Sequence, residues 1–135
     1  MRLFASLRET VTENEIATQI VDAAYKIHST LGPGLLETVY ETLLASEFEK
    51  RGLRFTRQQG IPVVYETIRL DQGFRADMIV EGKVIIEIKS VEAIAPVHKK
   101  QLLTYLRLAD KRLGLLINFN TVLIKDGIVR IANKL

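Results

Sequence analysis

The sequence contains no cysteine among its 135 residues. This absence excludes disulfide bonds and thiolate chemistry, and it fits a reducing compartment. No segment approaches the roughly 18 consecutive apolar residues of a membrane-spanning helix. The first 15 residues also lack the continuous apolar stretch of a secretory signal. We therefore expect a cytoplasmic protein with no membrane contact.

Excess charge of one sign is also scarce, since the net charge is only +3 and the isoelectric point is near 9.3. Such a balance permits a nucleic-acid partner without requiring one. A hydrophobic content of 47% with 26% charged residues is typical of an ordinary globular protein. Because internal repeats, low-complexity tracts and linkers are missing as well, we expect residues 1–135 to form a single domain.

Apolar residues at helical spacing predict two helices in the first third of the chain. Thr12 and Glu15 form a capping-box pattern at the start of the first helix, which we predict over about residues 13–31. Gly32-Pro33-Gly34 ends it, and the second helix ends near Gly52. A short connection of this kind predicts that the two helices pack as a pair.

Strand-like alternation dominates the remainder of the chain, interrupted by one further helix. The helix permits a crossover between parallel strands, so the order ααβββαβββ predicts an α/β domain with a mixed sheet flanked by helices. The predicted elements are strands at 62–70, 74–80 and 84–89, a turn at 71–73, a helix at 97–109, a strand at 113–119 and a closing hairpin of strands at 122–125 and 128–131.

Three charged residues, Asp77, Glu87 and Lys89, interrupt two apolar strand-like runs. Charged groups in a core hairpin call for an explanation, because they are rarely buried without a partner. Glu87 and Lys89 are two residues apart on one strand, so their side chains point to the same face of the sheet.

The position of Asp77 depends on the register of this hairpin, because a one-residue shift exchanges the two faces. A three-residue turn at 81–83 places Asp77 directly opposite Glu87, whereas a two-residue turn scatters the charges over both faces. We therefore predict the three-residue turn. On the apolar face the same register pairs Val80 with Val84, Met78 with Ile86, Ala76 with Ile88 and Phe74 with Ser90.

Two opposed carboxylates repel each other and raise the pKa of one of them unless a cation lies between them. Mg²⁺ accepts such oxygen ligands, with water and a phosphate oxygen completing its shell. Lys89 could then orient an attacking water or stabilise the charge of the transition state. The alternative is a structural ion pair, of Glu87 with Lys89 or of Asp77 with Arg75, on a solvated sheet face.

Three further residues are candidates to support such a site. Glu37 lies at the edge of the second helix's apolar stripe and is a candidate metal ligand, although the helix dipole also favours a glutamate in the first turn. Gln101 and Tyr105 are one helical turn apart and carry hydrogen-bonding tips suited to a phosphate or a metal-bound water. The alternative for this pair is a half-buried core tyrosine shielded by a glutamine.

These residues resemble the motifs of a known family. Gly34, Glu37 and Tyr40 have the spacing of the GxxExxY proteins, which belong to the PD-(D/E)XK nuclease-like superfamily. Asp77 with Glu87-Ile88-Lys89 is similar to the acidic and E-x-K elements of that superfamily, with Ala76 in place of its proline. Gln101 to Tyr105 resembles a Q-x-x-x-Y motif of some members.

The resemblance implies a restriction-endonuclease-like core and hydrolysis of nucleic-acid phosphodiester bonds. It implies Mg²⁺ or Mn²⁺ bound by Asp77 and Glu87 with the assistance of Glu37. We therefore expect a metal-dependent nuclease, with Lys89 as a catalytic residue and Gln101 and Tyr105 as positioning residues. DNA and RNA both remain open as substrates.

Two other hypotheses remain. The fold can serve a non-catalytic module that binds nucleic acid or protein, because fold membership does not establish activity. The apolar closing hairpin could also pair with a second copy along an exposed edge and form a homodimer.

Overall fold

A computed structural model describes residues 11–135. Residues 1–10, which carry most of the segment where we expect no secretory signal, lie outside the described residues. Among the described residues, no helix is both long and apolar enough to cross a membrane. In chain order the elements are α1 (Glu13–Leu31), α2 (Glu37–Lys50), β1 (Phe55–Tyr65), β2 (Ile68–Val80), β3 (Val84–Lys89), α3 (Pro96–Ala109), β4 (Leu113–Asn118), a 3₁₀ helix (Ile124–Gly127) and β5 (Ile128–Ala132).

The first helix begins and ends where the sequence predicts, and the second ends near Gly52, also as predicted. The Thr12 hydroxyl oxygen accepts a hydrogen bond from the Glu15 N–H at 3.1 Å and caps α1. Gly32 ends this helix with φ of 76°, in the left-handed region that glycine enters easily. Past the end of α2, Gly52 has φ of 71°, again with a positive angle.

The five strands form one sheet in the order β1-β2-β3-β4-β5. β3 and β4 are parallel, and the other three neighbouring pairs are antiparallel. Since α3 connects the two parallel strands, it is the predicted crossover. The predicted α/β class with a mixed, restriction-endonuclease-like sheet is confirmed.

Both faces of the sheet are covered by helices. The larger core packs α1 and α2 against one face through residues such as Ile20, Leu44 and Ile86. The smaller core packs α3 against the other face through Leu102 and Leu106. Burial of each large apolar side chain contributes roughly 1.5–3 kcal/mol, so the three layers hold the strands between them firmly in register.

The first hairpin differs from its prediction, because the turn lies at Glu66 and not at 71–73. The segment predicted as one strand, 62–70, therefore contains the turn. Asp71, Gln72 and Gly73 instead lie within β2, opposite the single residue Pro62 of β1, where the register shifts. A Cβ atom at Gly73 would collide with the Val63 side chain. These residues form a bulge in which the two strands approach each other closely. Such a bulge uses the same residue types as a turn.

The prediction of the closing hairpin is also wrong for its first strand. Residues predicted as a strand at 122–125 lead into the 3₁₀ helix, and β5 alone pairs with β4. Ile124 is buried, whereas Val122 remains 90% exposed, so only part of the apolar run packs against the core. Of the hairpin named in the homodimer hypothesis only β5 forms as a strand, and it lies at the edge of the sheet, so the homodimer stays a hypothesis.

Candidate active site

The β2–β3 hairpin has the predicted register at its turn. Val80 pairs with Val84, and Met78 pairs with Ile86. The three-residue turn is closed by the Lys83 N–H, which donates to the Val80 carbonyl at 3.0 Å. Gly82 has φ of 64°, consistent with a glycine that relieves the bend. The three-residue turn at 81–83 is confirmed.

On the side of Met78 away from the turn, hydrogen bonds from side chains to the backbone connect the two strands. The Asp77 N–H donates to Glu87 Oε2 at 2.8 Å, and the Ile88 N–H donates to Asp77 Oδ2 at 2.8 Å. Each carboxylate therefore reaches across to the backbone of the other strand. Asp77 and Glu87 are cross-strand neighbours, as the register predicts.

The predicted face of Ala76 is wrong. Ala76 packs in the smaller core with Leu102, whereas Ile88 packs in the larger core on the other side of the sheet. Met78 and Val80 keep their predicted side, so the alternation of β2 breaks at Asp77. Since Phe74 also packs toward the smaller core, the predicted pairing of Phe74 with Ser90 on the larger core fails for the same reason.

Burial is the main influence on the pKa values of the two acids, and neighbouring carboxylates add to it. Glu87 is only 6% exposed, and its burial, together with the charge of Asp77, raises its pKa to about 8. The pKa of Asp77 is also raised, chiefly by burial and further by Glu41, although the Ile88 N–H opposes the shift. A buried pair of this kind resists carrying two negative charges without a cation.

Lys89 stands near both acids without pairing directly with either. Its charge lowers the pKa values of Asp77 and Glu87. Among residues 11–135, however, no ion pair involves Lys89, Asp77 or Glu87. The structural ion pairs considered from the sequence, including that of Asp77 with Arg75, are therefore not formed.

Tyr105 of α3 lies near enough to the acids to be affected by their charge, and Gln101 contacts Tyr105. The ring of Tyr105 stacks on Phe74 with a centroid distance of 3.9 Å and an interplanar angle of 10°. Its pKa is raised by partial burial and by the charges of Glu87 and Asp77, while the Gln101 side chain opposes the shift. Tyr105 is half-buried and Gln101 is exposed. The pair thus combines the predicted core packing of the tyrosine with proximity to the acids.

Glu37 lies at the end of β3. Its Oε2 accepts a hydrogen bond from the Ser90 N–H at 3.0 Å, and its charge helps to raise the pKa of Glu87. Glu37 is the first residue of α2, so the helix dipole also favours it there, as the alternative interpretation held.

Tyr40 secures the loop that places Glu37. Its hydroxyl donates to the Gly32 carbonyl at 2.7 Å and accepts from the Leu35 N–H at 3.2 Å. Its ring stacks on Phe119 with a centroid distance of 4.1 Å. Tyr40 is fully buried, so it acts through the structure of the loop.

Two residues near the acids were not predicted from the sequence. Glu41, one turn after Glu37 on α2, is buried, and its charge acts on Asp77. Gln58 of β1 contacts both Glu41 and Asp77 through its side-chain amide. The helical spacing from Glu37 could have indicated Glu41. No sequence pattern indicates Gln58, because its position depends on an unusual backbone angle of φ 49°.

The donor chemistry at Asp77 and Glu87 fits a divalent cation with oxygen ligands. Mg²⁺ commonly uses only one or two carboxylates together with water and substrate oxygens. No group of three or more potential metal ligands is assembled among residues 11–135. Beyond burial, the charge of Asp77 raises the pKa of Glu87 and the charge of Glu41 raises that of Asp77, so both acids would gain from a positive ion between them.

Comparison with known proteins agrees with this geometry. A family model described as the PD-(D/E)XK nuclease superfamily matches residues 14–131. No curated protein and no solved structure gives a significant match. The matched range covers every candidate residue described above.

Proposed function

We propose that this chain, which belongs to the PD-(D/E)XK nuclease superfamily, is a metal-dependent nuclease that hydrolyses phosphodiester bonds. The observation that carries the proposal is the Asp77–Glu87 pair, buried at Glu87 and half-buried at Asp77, in which each carboxylate is held by the backbone of the opposite strand. An enzyme that must bind a cation for each reaction benefits from acids fixed before the cation arrives.

In this proposal Asp77 and Glu87 hold Mg²⁺ or Mn²⁺, with Glu37 assisting from the end of α2. A bound cation would lower the pKa of a water molecule and offset negative charge that develops on the phosphate. Lys89 orients the attacking water and stabilises the transition state from the same face of β3. Gln101 and Tyr105 position the phosphate backbone from α3.

The exposure of the residues around the acids supports a polymeric substrate. Glu37, Gln101 and Lys100 are exposed, and Lys89 is only half-buried. A cavity of about 470 Å³ lies elsewhere, next to Tyr25 of α1. Glu87 itself is buried, but the candidate residues Glu37, Gln101 and Lys89 reach solvent, and an open rim of this kind suits a nucleic-acid strand better than a small enclosed ligand.

We further propose that the chain belongs to the GxxExxY group within the superfamily. Gly34 has φ of 98°, Tyr40 holds the loop by two hydrogen bonds, and Glu37 contacts the end of β3. These contacts give each residue of the motif a distinct task, and together they place Glu37 beside Lys89 and Ser90.

One observation favours the second candidate function, a non-catalytic binding module. Both acids already accept backbone hydrogen bonds, and a purely structural pair would do the same. The two functions differ in what a divalent cation does. The nuclease requires it at Asp77 and Glu87, whereas the module has no use for it there.

The test is cleavage of labelled single-stranded and double-stranded DNA and RNA with Mg²⁺, Mn²⁺ or EDTA. We expect metal-dependent cleavage that falls at least about 100-fold in Glu87→Gln, Asp77→Asn and Lys89→Met. Glu49→Gln, an exposed acid on α2, is the matched control and should cleave as the wild type does.

The substrate that is cleaved identifies the nucleic acid. Wild-type rates in Glu87→Gln and Asp77→Asn would overturn the proposal. An intact protein that cleaves no substrate and binds neither cation would favour the binding module.

A further inference from the structure

We infer that Gln58 is a positioning residue that fixes the Asp77 carboxylate and joins Glu41 to the acidic site. For its consequence in catalysis the inference rests on the proposed nuclease function. The positioning itself concerns contacts within the protein and can be tested without a substrate.

The backbone at Gln58 adopts a conformation that its side chain does not favour. Its φ is 49°, in the left-handed region that residues with a Cβ atom seldom occupy within a strand. Arg57 pairs with Met78 and Gln59 pairs with Ala76, so Gln58 lies opposite Asp77. The irregular residue of β1 therefore faces the residue at which the alternation of β2 breaks.

The Gln58 amide bridges two acids. Its Nε2 donates to Glu41 Oε1 at 2.7 Å and to Asp77 Oδ1 at 3.3 Å. A primary amide has two N–H donors on one nitrogen, so it can hold two carboxylates together without adding charge. A lysine at this position would instead neutralise the acids and compete with a metal ion.

Both oxygens of Asp77 are consequently held. Oδ1 accepts from Gln58, and Oδ2 accepts from the Ile88 N–H at 2.8 Å. Two contacts on opposite oxygens fix the plane of a carboxylate, which a single contact leaves free to rotate. Orientation of a ligand by its hydrogen-bond partners is a common determinant of metal affinity.

Arg57 stabilises the other end of the bridge. Its Nε donates to Glu41 Oε2 at 2.8 Å, and its NH2 group donates to the Thr42 hydroxyl at 3.1 Å. Glu41 is only 6% exposed, so this arginine compensates its buried charge. Two consecutive residues of β1 thus contact Glu41. Arg57 compensates its charge, and Gln58 connects it to Asp77.

The experiment compares Gln58→Gly and Gln58→Met with the wild type. Both variants lose the amide donors, but glycine accepts the left-handed backbone whereas methionine keeps the size of the side chain. Glu66→Gly is the matched control, since Glu66 has φ of 54° in the β1–β2 turn, away from the acids. An effect that both Gln58 variants share and the control lacks is caused by loss of the Gln58 amide.

The first readout is hydrogen exchange at the Ile88 amide in EDTA, because that amide reports whether Asp77 stays in place. We expect about tenfold faster exchange in both Gln58 variants and wild-type exchange in Glu66→Gly. The second readout is the Mn²⁺ concentration that gives half of the maximal thermal stabilisation. We expect it to rise about 10- to 100-fold in both Gln58 variants.

Unchanged Ile88 exchange in both Gln58 variants would overturn the inference, whatever the protein cleaves. If the wild type binds Mn²⁺, an unchanged Mn²⁺ concentration of half-maximal stabilisation in both Gln58 variants would overturn it as well. If Ile88 exchange accelerates but the wild type neither binds Mn²⁺ nor cleaves nucleic acid, the positioning by Gln58 stands and the nuclease function fails.

Discussion

Glu47 and Glu87 are both buried glutamates, yet their surroundings are opposite. Glu47 lies on α2 and is 7% exposed, and Glu87 lies on β3 and is 6% exposed. Burial alone would raise the pKa of either group. The pKa of Glu47 is nevertheless lowered, whereas that of Glu87 is raised to about 8.

Cations around Glu47 explain its behaviour. Lys26 Nζ lies 3.2 Å from its Oε2, Lys50 Nζ lies 3.4 Å from the same oxygen, and Arg51 lies 3.7 Å from Oε1. Burial raises the pKa, but the hydrogen bonds and charges of the two lysines outweigh it. Glu47 thus links the ends of α1 and α2 as an ordinary structural anion.

Glu87 is surrounded mainly by other acids. Asp77 and Glu37 raise its pKa, and Lys89 lowers it only in part. The same fold therefore pairs one buried carboxylate with cations and, among the described residues, leaves the other without an ion pair. Stability alone does not favour the second arrangement, so the difference marks Glu87 as a candidate functional group.

The largest expected effect concerns the pH dependence of stability. The unfolded chain releases the Glu87 proton near the ordinary pKa of 4.5, whereas the folded protein retains it up to about pH 8. Between these values the folded state binds more protons, so the free energy of unfolding decreases as the pH rises. Glutamine imitates the protonated acid, so Glu87→Gln should match the wild type near pH 4 and exceed it by on the order of a few kcal/mol near pH 8.

Urea denaturation in EDTA across this pH range measures the difference. Parallel pH profiles for Glu87→Gln and the wild type would contradict the raised pKa. The contrast with Glu47 would then disappear as well.

Two-residue periodicity and turn length made the pairing of Asp77 with Glu87 predictable. A three-residue turn determines the register of β2 against β3, and alternation along β3 then determines the face to which each side chain points. The prediction failed only from Ala76 backward, where the alternation breaks. Periodicity cannot indicate such a break, because it arises opposite the left-handed backbone of Gln58.

Segments with ambiguous composition were not predictable. Asp71, Gln72 and Gly73 have the composition of a turn but form a bulge, since a glycine can serve tight bends and close strand contacts equally well. The apolar run at 122–125 matches a strand, yet its partner in space decides the outcome, and only Ile124 reaches the core. In both segments tertiary contacts determine which structure forms.

A smaller effect, with the opposite pH dependence, is expected at Glu47. Glu47→Gln removes the carboxylate from three cations and should lower the free energy of unfolding by about 2 kcal/mol at neutral pH. Since the pKa of Glu47 is lowered, its contribution is present above the ordinary pKa and is lost as the pH falls through the lowered value. Glu49→Gln, at an exposed position of the same helix, is the control for urea denaturation.

A deficit in Glu47→Gln that persists at low pH would indicate lost packing and not lost charge. Cleavage by Glu47→Gln should equal that of the wild type, because Glu47 lies outside the acidic site.

The smallest expected effect is the stabilisation by Mg²⁺ itself. At ten times its Kd, a cation that binds only the folded state adds about 1.4 kcal/mol to the free energy of unfolding. Glu47→Gln should gain as much as the wild type although it starts less stable, whereas Glu87→Gln should gain little although it starts more stable. At Glu87 stability and cation response then change in opposite directions, whereas at Glu47 only stability changes. An equal gain in Glu87→Gln would place the cation elsewhere, because general electrostatic binding to a protein surface does not distinguish one buried carboxylate from another.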